Sequence, residues 1–360
     1  MKTVYLPFEL IIQILLRLPV KSLICFKSVC KTWFNLISNP NFANSHYHSF
    51  SESTRTLRIL SISGLPPQIR SIDFQALLNN NNSNSNSLNP NLSLPQSYFP
   101  LQIRGSCRGF LFLNSSTSNY IWNPSTGFHM KIPLSPIRSN IGNYHSYLYG
   151  FGYDHSRDDY LLVSILASDI SPHLEFFSLR ENAWKEIEDT CFPYQTPFHY
   201  PNKGFLFNGA VHWIVSRRSS LVDVIVGFNL MERKLLEILL PYDFGHYLII
   251  DIGSWVFGEF LSLWTMRNGI IEIWVMKEYK VHSSWTKTLV FPSYVIPNFS
   301  PIYSTKNGDV IGTIGGTGLV KYNGKGQMLE HCSYCDDPRG SQVVIYTESL
   351  LSLPGDHEQV

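Results

Sequence analysis

Charge is scarce in this sequence. Lys, Arg, Asp and Glu make up 15% of its 360 residues, against ~25% in an ordinary soluble domain. The 28 cations and 27 acids leave a net charge of +1, so nucleic acid and anionic membrane surfaces are not expected partners. Cysteine is also sparse: six thiols at 25, 30, 107, 191, 332 and 335 are too scattered for a secreted disulfide scaffold and point to a reducing compartment. Long apolar runs are missing. No stretch reaches the ~18–20 uninterrupted apolar residues of a membrane span. The apolar N-terminal segment is broken by Pro7, Glu9, Gln13, Arg17 and Pro19, unlike a secretory leader. The expectation is an intracellular chain of cytoplasm or nucleus, with no membrane contact.

What the chain has in plenty is core material. Hydrophobic residues are 44% and aromatics 14%, enough for large cores and more than one folded unit. The apolar material is concentrated at the start, in LPFELIIQILLRLPVKSLICFKSVCKTWFNLI. Between Phe8 and Leu18 the polar residues Glu9, Gln13 and Arg17 recur every four positions, so a helix here has one narrow wet stripe and needs cover on two sides. Pro19 stops it. A second helical pattern runs through Leu23, Phe26, Cys30 and Trp33, and Ser38-Asn39-Pro40 starts a short third helix through Phe42 and Ala43. Three short helices cannot bury so much apolar surface among themselves. Either a partner protein or the rest of the chain must cover it. Five cations against one acid give residues 1–48 a charge of +4 and leave −3 for the rest, which suits an acidic partner.

Beyond Phe50 the period shortens to that of strands. The run LLNNNNSNSNSLNPNLSLPQ cannot bury itself and is expected to be a flexible loop. From Gly105 onward, strand pairs and tight turns form five units, beginning near FLFLN, YLYGFGYD, GFLFNGAVHWIV, YLIIDIG and PIYSTKNGDV. Their spacing of roughly 40–50 residues is that of propeller blades. A sixth blade pairs QVVIYTESLLSLP with strands at residues 57–74 and closes the ring, removing exposed sheet edges. The expected fold is α+β overall, a three-helix unit followed by an all-β, propeller-like domain of about six blades. Seven to eight blades or a sandwich are the alternatives. The expected divisions are 1–48, a linker with early strands over 49–104, the β domain over 105–353 and a tail over 354–360.

Chemistry is hard to find. Gly105-Ser106-Cys107-Arg108-Gly109 has the outline of a nucleophile elbow, but a strand follows where a helix is needed, so it reads as a tight turn. His331, Cys332 and Cys335 offer three ligands where structural zinc needs four. The glycines of GTIGGTG lack the lysine and spacing of a phosphate loop. The pairs Asp158-Asp159 and Asp336-Asp337 diverge on an extended chain. Six scattered cysteines cannot build a RING. No catalytic residue, metal or cofactor is expected.

Two resemblances add to this. The pattern L-P-x-E-L-x-x-x-I-L-x-R-L-P-V-K-S-L-x-x-F-K-x-V-C-K-x-W-x-x-L-I-x-x-P-x-F, from Leu6 to Phe42, resembles the F-box of plant F-box proteins nearly position for position, with Cys25 where a basic residue is frequent. It implies docking on the Skp-type adaptor of a cullin-RING ubiquitin ligase through Leu6, Pro7, Leu10, Ile14, Leu18, Pro19, Leu23, Phe26, Val29 and Trp33. The segments GSCRGFLFL, IWNPSTG, YGFGYD, FSLRENAWKEI, NGAVHWI and IEIWVMKEYKVHSSWTK stand in the order of the F-box-associated domain, an arrangement shared with self-incompatibility-locus F-box proteins. Together they imply a non-catalytic subunit that tethers an unidentified target protein for ubiquitination and degradation. The alternative is a glycan- or small-ligand-binding propeller in which the F-box is dispensable. Binding function concentrates in loops on a rigid scaffold. The aromatic-rich loop 189–203, with Phe192, Tyr194, Phe198 and Tyr200, and the loop 133–147 are the candidate target-binding segments.

Overall fold

The computed structural model describes residues 6–49, 57–64, 67–74, 87–88, 101–136, 147–167, 172–187, 192–196, 202–242, 244, 251–292, 299–335, 337 and 341–354. Most of the Asn/Ser-rich run and of loop 133–147 lies outside them, as do Phe198, Tyr200 and the tail after Pro354.

Four helices, not three, open the chain: α1 (Phe8–Leu15), α2 (Val20–Phe26), α3 (Lys31–Ser38) and α4 (Pro40–Ser49). Pro7 and Pro19 are N-caps whose carbonyls accept from the first turns of α1 and α2. The expected second helix divides at residues 27–30. The Ser28 hydroxyl turns back onto the Cys25 carbonyl at 2.6 Å, and Cys30 is extended (φ −160°, ψ 163°), which ends one helix and caps the next. The apolar spacing persists across this break, so periodicity alone could not show it. Asn39 caps α4, its side-chain oxygen accepting from Asn41 N–H at 2.8 Å. Within the bundle, the buried His46 of α4 holds its Nε2 2.8 Å from the Leu18 carbonyl.

The β domain is a six-bladed propeller. Blade I comprises Gln102–Cys107, Phe110–Asn114, Asn119–Trp122 and His129–Ile132; blade II comprises Tyr147–Asp154, Asp159–Leu166, His173–Ser178 and Ala183–Glu186. Blade III has an inner strand in two pieces, Tyr194–Gln195 and Phe205–Phe207, followed by Ala210–Arg217, Asp223–Asn229 and Lys234–Leu239. Blades IV and V span residues 251–292 and 299–333. Blade VI pairs Gln342–Thr347 with Leu57–Ser63, which continues to Gln68–Asp73 and Ser87–Leu88. All pairings within the blades are antiparallel, and they join sequence neighbours except at this closure and where Tyr194–Gln195 pairs with Ala210–Arg217.

Each blade must bury both faces, because it has a neighbour on either side. All eight residues of Asp159–Leu166 are accordingly buried. Six apolar clusters fill the six seams between adjacent blades. The cluster between blades I and II also takes in Leu15, Val20, Leu23, Ile37, Phe42 and Ala43 of the helices, with Leu350, Leu351 and Leu353 after the closing strand. The helices and the propeller thus share one core.

Residues 348–354, expected to continue the last strand, instead form a strap between blade I and the helices. The IWNPSTG motif holds it. The fully buried Asn123 donates to the Ser349 and Leu351 carbonyls at 3.0 and 3.2 Å, and the Ser349 N–H donates to the Ser125 hydroxyl at 3.2 Å. Removing Asn123 would leave two buried acceptors unsatisfied, at about 1–3 kcal/mol each. The hairpin Arg108-Gly109 lies against the same strap with φ of 49° and 86°. A Cβ on Gly109 would stand 2.2 Å from Ser349 Cβ, so this turn tolerates no side chain there.

Candidate functional site

The helices expose one face and bury the other. Leu15, Val20, Leu23 and Ile37 turn into the shared core, while Leu6, Phe8, Leu10, Ile14, Val29 and Phe34 are each 43–60% exposed. Pro7 and Pro19 are also exposed, and Leu18, Phe26 and Trp33 are half-buried. Phe26 and Trp33 meet at 5.3 Å between ring centroids, linking α2 to α3. Leu23 is corrected from surface to interior: at 0% exposure it packs in the shared core and cannot touch another molecule. Phe8 and Phe34 belong to the exposed face but were not among the chosen residues. They occupy variable positions of the pattern, and only helix orientation brings them to the surface. Lys21 and Lys31 are exposed beside this face. Partial burial holds the Lys27 ammonium below the ordinary lysine range.

The second candidate region divides differently. Phe192 is buried in the seam of blades II and III, with its ring 5.1 Å from Tyr194. It is core and unavailable to a partner, because the innermost strand of blade III places it against blade II. Tyr194 is half-buried and donates its hydroxyl to Glu237 at 2.8 Å. Arg217 also pairs with Glu237, and these bonds hold the Glu237 carboxyl below its usual range, against the opposing effect of burial.

The GSCRG segment is the two-residue hairpin between the first strands of blade I. Burial pushes the Cys107 thiol up to about 12, the opposite of an activated nucleophile. Between helices and propeller lies a cleft of about 360 Å³ lined by Asn44, Arg108, Tyr153, Asp158 and Arg180 among others. Arg108 lies 3.9 Å from the Tyr153 ring centroid and reaches Asn44 of α4 at 3.3 Å. Asp158 pairs with Arg180 at 3.1 Å and accepts from the Tyr153 hydroxyl. This cleft is a polar seam that fastens α4 to blade II.

A helical module with one bare apolar face is thus fixed to a closed six-bladed ring. The profile described as "F-box associated beta propeller domain" matches residues 71–336, and that described as "F-box domain" matches residues 5–45. The chain therefore belongs to the plant F-box proteins that carry an F-box-associated β-propeller. Similar proteins include "F-box protein CPR1" of Arabidopsis thaliana, 28% identical and aligned over 98% of this chain and 90% of that protein. "F-box/kelch-repeat protein At3g23880" of the same species is 28% identical over 80% of this chain and 79% of that protein. Among solved structures, the Dos1 propeller covers 79% of this chain and 68% of that chain at 9% identity, with a TM-score of 0.38. A likeness that distant carries no argument, and the fold rests on the strands described above.

Proposed function

We propose that this protein is a substrate-recognition subunit of a Skp-cullin-F-box ubiquitin ligase, without catalytic chemistry of its own. Its F-box docks on a Skp-type adaptor and thereby on the cullin and RING subunits, and its propeller holds a target protein for ubiquitination and degradation. The observation that carries this reading is the bare face of Leu6, Phe8, Leu10, Ile14, Val29 and Phe34 on helices whose opposite face is already buried. An amphipathic helix pair covered on one side and apolar on the other calls for a second partner, and the chain's own propeller is already spent on the first side. The physical contribution is tethering: holding target and charged enzyme in one assembly raises their effective concentration. The continuous core from helices to blades I and II makes that tether stiff.

Calorimetric titration of the intact chain with a purified plant Skp adaptor tests this. We expect tight binding, lost in a Leu10→Asp/Ile14→Asp variant whose thermal midpoint is unchanged. No binding by the intact protein would remove the ligase reading, and equal binding by the variant would place the contact elsewhere.

A further inference from the structure

The cleft between α4, the first hairpin of blade I, blade II and the strap holds more positive than negative charge. Among the described residues that line it, the charged ones are Arg108, Arg180 and Asp158, two guanidiniums against one carboxylate. Asp158 is already committed: it pairs with Arg180 at 3.1 Å and accepts from the Tyr153 hydroxyl. The surplus therefore rests on Arg108.

Arg108 is held without being neutralised. Its guanidinium carbon lies 3.9 Å from the Tyr153 ring centroid, 5.1 Å from that of Tyr47 and 6.0 Å from that of Tyr160. Aromatic faces attract a cation but leave its charge in place. Its hydrogen bond to Asn44, at 3.3 Å, goes to a neutral amide. Among the described residues no carboxylate pairs with it, and its Nε is buried without a hydrogen-bond partner. The ionisable groups packed around it stay neutral as well. Burial pushes the Cys107 thiol up to about 12 and raises the Tyr160 and Tyr153 phenols, against the opposing pull of Arg108 itself. Withdrawing a cation from water is costly until an anion joins it.

There is room for that anion. At about 360 Å³ the cleft falls within the ~300–1,000 Å³ usual for small-molecule sites. Pro40, Leu351 and Leu353 give it apolar wall, while Arg108 and Asn44 give it donors. The support is rigid. Gly109, next to Arg108, lies so close to the strap that a Cβ there would stand 3.0 Å from the Thr347 carbonyl, and the Asn123 bonds fix the strap in turn. A guanidinium carried on such a turn is presented in one place.

We propose that this cleft binds a small molecule bearing a carboxylate or phosphate group, which Arg108 holds by charge-assisted hydrogen bonds and which bridges α4, the strap and blade II. The proposal is independent of the ligase reading, since the cleft lies on the opposite side of the helices from their bare apolar face and its test needs no adaptor. A ligand seated there touches helices and ring at once, and its binding energy adds to the fastening between them.

Thermal unfolding of the full chain in inorganic phosphate and, separately, in benzoate, each against chloride of equal ionic strength, provides the test. The two arms distinguish a phosphate from a carboxylate ligand. Exclusion of phosphate from protein surfaces also raises unfolding midpoints, but without saturation. The expected result is a saturable rise of about 2–4 °C in at least one arm, abolished by Arg108→Gln. No saturable rise in either arm overturns the proposal, as does an equal rise in Arg108→Gln. Where that variant fails to fold, Arg180→Gln replaces it, because the Arg180 side chain is 52% exposed. Releasing Asp158 toward Arg108 should then at least halve the rise, and an undiminished rise counts against the site. A rise that appears only after truncation at Pro354 would make the chain's own acids, Asp356 and Glu358, the occupant in place of a small molecule.

Discussion

At the scale of single residues, His212 shows how burial sets a protonation state. It lies at 0% exposure on the second strand of blade III, with Nε2 2.8 Å from the Tyr279 hydroxyl and the Phe205 ring stacked on it at 5.2 Å. Burial first, and Lys280 to a lesser extent, lower its pKa from 6.5 to about 4. The unfolded chain therefore takes up this proton before the folded one does. The stability contribution is complete above pH ~6.5 and is lost as pH falls toward 4, amounting to about 3 kcal/mol for this group alone. Denaturant midpoints measured from pH 7.5 to 4.5 should fall steeply, and His212→Gln should remove this part of the slope. A parallel slope in the variant would assign the acid sensitivity to other groups. Tryptophan offers a different lesson. The Trp184 indole donates to the Pro133 carbonyl at 2.8 Å, and the Trp285 indole donates to the Leu239 carbonyl at 3.0 Å. Each indole, at the start of an outer strand, latches its blade to the end of the preceding one. The recurrence of NAWKEI and SSWTK was visible in the chain, but the acceptors lie about 50 residues away and no local pattern names them.

At the scale of elements, the helices show the limits of periodicity. Apolar spacing located the module and its surplus of surface, but could not say which side of each helix met the propeller. That depends on residues 350–353, which follow the last strand and form part of the same core. Leu10 and Leu23 look alike in sequence, yet one is 50% exposed and the other 0%. Leu23→Ala should cost about 2–5 kcal/mol of stability. Leu10→Ala should leave the melting midpoint within 1–2 °C of the parent and weaken adaptor binding about tenfold. Paired thermal melts and titrations of both variants read this directly, and reversed effects would mean that the two faces had been exchanged. The strap was read as strand because the leucines of SLLSLP continue the apolar character of QVVIYT directly before it. Only the Asn123 bonds to its carbonyls show that it leaves the sheet at Thr347 and turns beneath the helices.

At the scale of the whole molecule, the blade count was legible because the repeat is a physical unit: each blade buries both faces only against its neighbours. What spacing could not give was the role of the ring's ends. In blade VI the Ser71 hydroxyl meets the Tyr346 hydroxyl at 2.8 Å across 275 residues of chain. The buried Arg58 donates to Ser71 at 2.7 Å and pairs with Glu348 at 3.3 Å. Truncation after Thr347 keeps the closing strand and removes the strap. We expect such a chain to retain its strand circular dichroism while α1–α4 become sensitive to limited proteolysis and adaptor binding falls. Protection of the helices equal to the parent's would show that the strap does not support them. The same arrangement sets an order of events during synthesis. The helices leave the ribosome first, but the surface on which they rest is finished only when residues 350–353 emerge. A nascent or prematurely ended chain therefore carries the four helices without their complete bed, and their apolar inner face is fully covered only once the ring has been completed.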